Sequence, residues 1–341
     1  MRAALKDCRF LLALSTPLAP LVGYWLGANW LSFLVFFVAI PLLDWAIGRA
    51  DATSAPEERA RLEGSPFFRA VLLAYVPLQL ALILWGARIV GSGELASLQA
   101  LGLTLSIGLV TGSQGITIAH ELGHKSSRLD RWLARVLLVS VGYGHFTVEH
   151  NRGHHQRVAT PQDPASARYG EGFWRFLPRT LFGSFRHAWQ LDRREVMLAS
   201  VSSLFAAAAL GAAFGPLAAA FYFGQSAMAI TLLEAVNYIE HYGLQRQQLA
   251  DGRYEKMSER HSWDANQWLT NCYLIHLQRH ADHHLNPMRP YAALQPRTGS
   301  PKLPMGYAGM LPLALVPPLW FRVMNPRAAR ALASASTRDL G

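Results

Sequence analysis

The residues best equipped for chemistry in this 341-residue chain are histidines, and they come in clusters. Glu149-His150-Asn151-Arg152-Gly153-His154-His155 carries three imidazoles in six residues. His120-Glu121-Leu122-Gly123-His124-Lys125 lies upstream and Leu277-Gln278-Arg279-His280-Ala281-Asp282-His283-His284 downstream, so that three runs hold eight of the thirteen histidines. Residues three and four apart are neighbours on a helix surface. If helical, His120 shares a face with His124, His150 with His154 beside His155, and His280 with His283 and His284. Neutral imidazole is the commonest metal ligand among side chains that titrate near neutrality, so clusters of this density point to metal rather than to surface histidines gathered by chance.

Two chemistries compete for such a centre. The first run spells H-E-x-x-H, the helix signature of zinc proteases, in which Glu121 would be the general base. A catalytic zinc uses three protein ligands and one open position, which leaves the second and third runs without a purpose. Two metal ions, each with several neutral nitrogen ligands, use all of them. Iron suits that set because oxygen activation needs a redox-active ion and zinc is not one. Glu121, Glu149, Glu240 and Asp282 are placed to offset the charge, by holding remote ring nitrogens or by binding metal directly.

The elements that must position these rings are membrane helices. Half of the chain (51%) is hydrophobic and only 16% is charged. Apolar stretches at 10–26, 30–47, 68–90, 95–119, 196–214 and 217–238 predict six spans, the first two forming a hairpin about Gly27-Ala28-Asn29. Asp44 near the end of the second span has either a task there or an interfacial cap. The hydroxyls of the fourth span (Thr104, Ser106, Thr111, Ser113, Thr117) are expected as packing contacts. Residues 132–146 are apolar but too short to cross, and predict a buried or interfacial helix. The stretch 310–321 is too short and too rich in proline.

The resulting organisation is an all-α integral membrane protein: four spans in 1–119, a region with two histidine runs in 120–198, two spans in 199–238, and a polar region in 239–341. With both termini on one side, 31 of the 32 lysines and arginines fall on that side, leaving Arg88 opposite. The positive-inside rule then puts the termini and every histidine run in the cytoplasm, as in a multi-pass inner-membrane protein. The net charge of +10 is thus read as topology and a docking face, not as nucleic-acid binding. Cys8 and Cys272 are too few for a disulfide framework or a four-cysteine metal site.

At this point the chain resembles the membrane-bound di-iron alkane 1-monooxygenases. The three runs match that family's histidine boxes. A fourth motif, Asn237-Tyr238-Ile239-Glu240-His241-Tyr242-Gly243-Leu244, separates it from the broader membrane desaturases. Gly142-Tyr143-Gly144-His145-Phe146, Ala159-Thr160-Pro161-Gln162-Asp163-Pro164, Asp251 to Glu255, His261-Ser262-Trp263 and Leu303 to Tyr307 extend the match over nearly the whole chain.

The resemblance implies nine ligands for two iron ions: His120, His124, His150, His154, His155, His241, His280, His283 and His284. Around them it sets Glu121, Glu149, Asp163, Glu240 and Asp282. His145 and His276 are expected as packed or supporting groups, His187 and His261 as surface groups. The implied reaction converts a terminal methyl group of a medium-chain alkane to a primary alcohol with O2 as co-substrate. Alkyl side chains of arenes or terpenes are the alternative substrates. Electrons are implied to come from a separate rubredoxin and its reductase, since two cysteines cannot form a rubredoxin iron site. Two departures from the family pattern bear on donor docking: the compact 192–195 segment, and the short stretch after Tyr307. By its distance from Asp44, Phe36 occupies the position linked with chain length, as a wall of the substrate tunnel or as a lipid-facing ring.

Overall fold

The computed structural model describes residues 6–338, so Arg2 of the basic count lies outside the described residues. Among them the architecture is all helical, with isolated bridges in place of strands. An apolar hairpin comes first, its leading arm a broken helix (Cys8–Ser15, Leu18–Trp25) and its second arm α1 (Leu31–Ile47). Pro17 and Pro20 lack the amide hydrogens a continuous helix needs, which accounts for the break. Each arm falls short of the roughly 20 residues of a full crossing.

Among the described residues four helices are long and apolar enough to cross a membrane: α2 (Pro66–Gly91), α3 (Ser97–Gly123), and later Arg193–Phe214 and Pro216–His241. Between them lie α4 (Arg128–Val139), α5 (146–157) and α6 (Phe173–Leu191), after which the last two long helices are α7 and α8. The C-terminal region adds α9 (Trp268–Tyr273), α10 (His280–Leu285), α11 (Tyr307–Ala314) and α12 (Pro317–Arg338).

Helix α3 is central: 83% of its most apolar stretch is buried, against 28% for α7. Small residues put it there. A Cβ at Gly108 would stand 2.6 Å from the Gln225 carbonyl, and one at Gly112 2.7 Å from Ala229 Cα, so α3 meets the backbone of α8 where a larger side chain would hold it off. The hydroxyls act as expected: Thr111 Oγ1 donates to Gln225 Oε1 at 2.9 Å and Ser106 Oγ to the Asn29 carbonyl at 2.6 Å.

The turns of the three helix pairs gather at one end. Asn29 Nδ2 reaches the Gln99 carbonyl at 3.1 Å, and Gly91 packs on the Phe214 carbonyl. The opposite end therefore receives the last turns of α3 and α8 together with the polar segments. Around the girth, Phe205 is 75% exposed, Leu204 60% and Val201 58%. Leaving such side chains in water costs about 1.5–3 kcal/mol each, which lipid removes.

Asp44 is buried, and its task is structural. Oδ1 accepts the Thr270 amide at 2.9 Å and Oδ2 the Thr270 hydroxyl, so α1 caps the start of α9 from another part of the chain. The short element foreseen over 132–146 is α4, with Leu137 and Leu138 buried and Trp132 exposed, as an interfacial helix requires. Helix α6 was not foreseen. Its arginines hide an apolar face on which Phe173 and Phe176 are buried.

Candidate metal centre

The nine ring nitrogens of the histidine runs and His241 converge in two groups. His120, His124, His150, His155 and His283 form one; His154, His241, His280 and His284 form the other; within each group the donor atoms lie within 4.8 Å of one another. Helix α3 delivers His120 in its last turn and His124 just past it. His241 is likewise the last residue of α8. His283 and His284 come from α10, a two-turn helix whose amides are held by Asp264 Oδ1 at Ala281, 2.8 Å.

Local geometry sorts the rings differently from a plain α-helical reading. Residues His150–His154 form a π-turn within α5. One extra residue per turn aligns i with i+5, so His150 joins His155, while His154 turns to the other group. In α10, His280 keeps its i, i+4 partner His284, and His283 crosses to the five-membered group.

The fit to metal ions rests on nitrogen geometry. His155 Nε2 lies 3.0 Å from His150 Nε2 and 3.1 Å from His283 Nε2; His280 Nε2 lies 3.1 Å from His241 Nε2 and 3.0 Å from His284 Nε2. Two ligands at right angles, each about 2.1 Å from one ion, sit about 3.0 Å apart. Nε2 of His120, His124 and His154 is buried with no hydrogen-bond partner. Burial, then the neighbouring rings, holds His124, His150, His155, His280, His283 and His284 well below the usual imidazole range, so their lone pairs are available.

Of the five carboxylates expected around the rings, two meet ligand imidazoles. His154 Nδ1 donates to Asp163 Oδ2 at 2.9 Å, which aims Nε2 at the group; against the cost of burial, Asp163 raises the affinity of that ring for a proton. Glu240 Oε2 lies 3.2 Å from His280 Nε2, on the donor side, and Oε1 accepts the Tyr307 hydroxyl at 2.9 Å. The other three direct their hydrogen bonds elsewhere. Glu121 accepts the Tyr291 amide at 3.0 Å and pairs with Lys125 at 2.6 Å. Asp282, fully buried, binds Arg289, Arg297 and the Gln295 amide. Glu149 Oε1 lies 3.0 Å from His187 Nδ1.

That last contact corrects the placement of His187 and His261 at the surface. Both are buried: His187 is the partner of Glu149, and His261 lies 3.1 Å from Glu255 while its carbonyl faces His241 Nδ1 at 3.3 Å. Neither has a second histidine at helical spacing, so the sequence carried no signal for them. His145 packs on Tyr143 and Phe185, where burial pushes its pKa down to about 4, and His276 packs on Phe10.

A narrow cavity opens beside the rings, with His120, His150, His280, Glu240 and Asn237 at its polar end and Ile116, Leu232, Val236, Leu277 and Leu311 among its apolar walls. Phe36 is buried; it does not line this cavity but packs in the same core cluster as the wall residues Leu232 and Leu311. Glu234 was missed. Buried in α8, it accepts from Tyr143 at 2.7 Å, Thr180 at 2.8 Å and Asn237 at 3.2 Å. An ionisable residue inside an apolar span was the available signal.

Residues 96–313 match a family model described as fatty acid desaturase. The chain is 43% identical over 333 residues to alkane 1-monooxygenase 2 of Pseudomonas aeruginosa, covering 90% of this chain and 88% of that protein. It is 40% identical over 344 residues to an alkane 1-monooxygenase of Ectopseudomonas oleovorans, covering 94% and 85%. At 25% identity it is similar to the xylene/toluene monooxygenase hydroxylase component of Pseudomonas putida, over 89% of this chain and 84% of that one.

Proposed function

Since the chain belongs to the alkane 1-monooxygenase family, we propose that it hydroxylates the terminal methyl group of medium-chain n-alkanes: R-CH3 + O2 + 2 e⁻ + 2 H⁺ gives R-CH2OH + H2O. The observation that carries this reading is the convergence of nine histidines into a five-ring and a four-ring group at the polar end of an apolar cavity. Those two groups of histidines would hold two iron ions, which when bound would supply the oxygen activation. The chain's own residues orient and exclude: Asp163 aims His154, Tyr307 steadies Glu240, and the leucine and isoleucine walls hold an alkyl chain away from water.

Six spans with the termini and histidines in the cytoplasm complete the proposal. The gathering of all three helix-pair turns at one end supports it, as do the exposed apolar side chains on both arms of the first hairpin, Leu18 and Leu42 among them. On this reading the chain is divided at about 119, 198 and 238, resides in the inner membrane, and takes electrons from rubredoxin and its reductase.

Similarity to a xylene/toluene monooxygenase component favours methyl arenes as the second substrate class. The zinc-protease reading loses its general base, because Glu121 is engaged by Lys125 and Tyr291. The test is turnover of octane and of p-xylene by iron-loaded protein in lipid with rubredoxin, its reductase and O2. Oxygen-dependent 1-octanol as the faster product supports the alkane reading; faster benzylic alcohol transfers it to arenes, and peptide cleavage by zinc-loaded protein without a donor overturns both.

A further inference from the structure

The proposed reaction draws two electrons from outside, and resting on that reading, we infer that they enter through a basic groove behind the four-histidine group. The groove is lined by Arg260, Lys302, Arg327, Arg330, Trp263 and Ser300, with no carboxylate in its lining among the described residues. Helix α12 forms one wall and contributes Arg327 and Arg330 to it, and the sequence of that helix contains no acidic residue. Such a concentration of one charge attracts an acidic partner and raises its rate of encounter.

Trp263 lines the groove, and the segment 261–264 to which it belongs also touches the metal centre. The His261 carbonyl faces His241 Nδ1 at 3.3 Å, the Trp263 amide donates to the Glu240 carbonyl at 2.8 Å, and Trp263 Nε1 donates to the Tyr242 carbonyl at 2.9 Å. Those last two carbonyls flank His241. Asp264 joins the two sides, accepting from Lys302 at 3.2 Å on the groove side and from the Ala281 amide, next to His280, at 2.8 Å. On the groove side Ser300 Oγ donates to the Ser262 carbonyl at 3.0 Å. One buried indole and one stretch of backbone thus separate a cationic docking surface from His241 and His280.

The partner that fits is an acidic one-electron carrier protein, the class to which the proposed rubredoxin belongs. Each docking transfers one electron from the reduced carrier, which leaves oxidised, and two dockings supply one turnover; the two protons come from water.

The experiment compares the parent with the R327E/R330E double variant, using rubredoxin and separately dithionite as reductant, at matched iron content in neutral-lipid nanodiscs. The expected result is a fall in kcat/KM for rubredoxin of about ten- to a hundredfold, carried by KM, with a flattened salt dependence and an unchanged dithionite-driven rate. A second variant separates path from docking: Trp263→Leu lowers the rubredoxin-driven kcat at unchanged KM, and Trp263→Phe restores it. An unchanged KM and salt slope in the double variant overturn the groove as the entry point. A parent rate that rises with both reductants when anionic lipid is added, with no such response in the double variant, makes it a lipid site instead. Absence of 1-octanol from the parent with either reductant sinks the alkane reading itself, not the groove.

Discussion

Replacing Asp163 with asparagine tests whether one carboxylate sets the order of the four-histidine group. Oδ2 receives both His154 Nδ1 at 2.9 Å and the Ser166 hydroxyl at 2.6 Å, while Oδ1 receives the Ala165 amide at 3.1 Å. An asparagine presents one oxygen and one NH2 to these three donors. With its oxygen toward His154, the NH2 faces the Ala165 N–H; flipped, it donates to Nδ1 and forces the proton onto Nε2, which is aimed at the group. Either arrangement leaves a buried donor unmet or a ligand in the wrong tautomer, a cost of about 1–3 kcal/mol. That agrees with the 10- to 100-fold loss of metal affinity, about 1.4–2.7 kcal/mol, typical when such an outer partner is removed.

The pH dependence adds a signature. Metal must displace the proton that Asp163 favours on His154, so affinity at this group rises with pH up to the raised value of that ring. In the metal-free protein the charged pair acts in the opposite sense. The raised ring contributes stability that is full below about pH 6.5 and is lost as pH rises through its folded value. The assay is iron retained against a graded chelator from pH 6 to 8, with Asp251→Asn, an exposed residue paired with Arg253, as control. Iron affinity within twofold of the parent, with an unchanged pH slope, would refute the reasoning.

His280→Ala removes the ring that meets His241, His284 and Glu240, and is expected to lower bound iron and abolish 1-octanol formation, whereas the exposed Arg253→Ala changes neither. His187→Ala leaves the Glu149 carboxylate buried without its partner, and should cost about 3–5 kcal/mol, read as a lowered thermal midpoint; His187→Gln, which retains a donor, should recover part of it. Phe36→Ala is expected to cost about 3–5 kcal/mol and to lengthen the alkanes accepted at matched iron content; an unchanged product profile places the limiting wall on Leu232 and Leu311.

The nine histidines that the fold gathers were all named from the sequence, eight because they stand in three dense runs and His241 because the family motif around it pointed there. Four of the six expected spans are long apolar helices, legible because lipid imposes about 20 apolar residues on each crossing, a constraint local to the chain. Partition of the rings between two groups was not legible. It depends on the π-turn at His150–His154, and nothing in the spacing of the letters distinguishes i+4 from i+5 once a helix admits an extra residue. The tasks of the carboxylates were also decided by tertiary structure. Asp163 and Glu240 meet imidazoles, while Glu121, Glu149 and Asp282 are claimed by the Tyr291 amide, His187 and two arginines. A carboxylate's partner is whichever donor the fold buries beside it, and residues 282 and 297, or 149 and 187, become neighbours only when the helices pack.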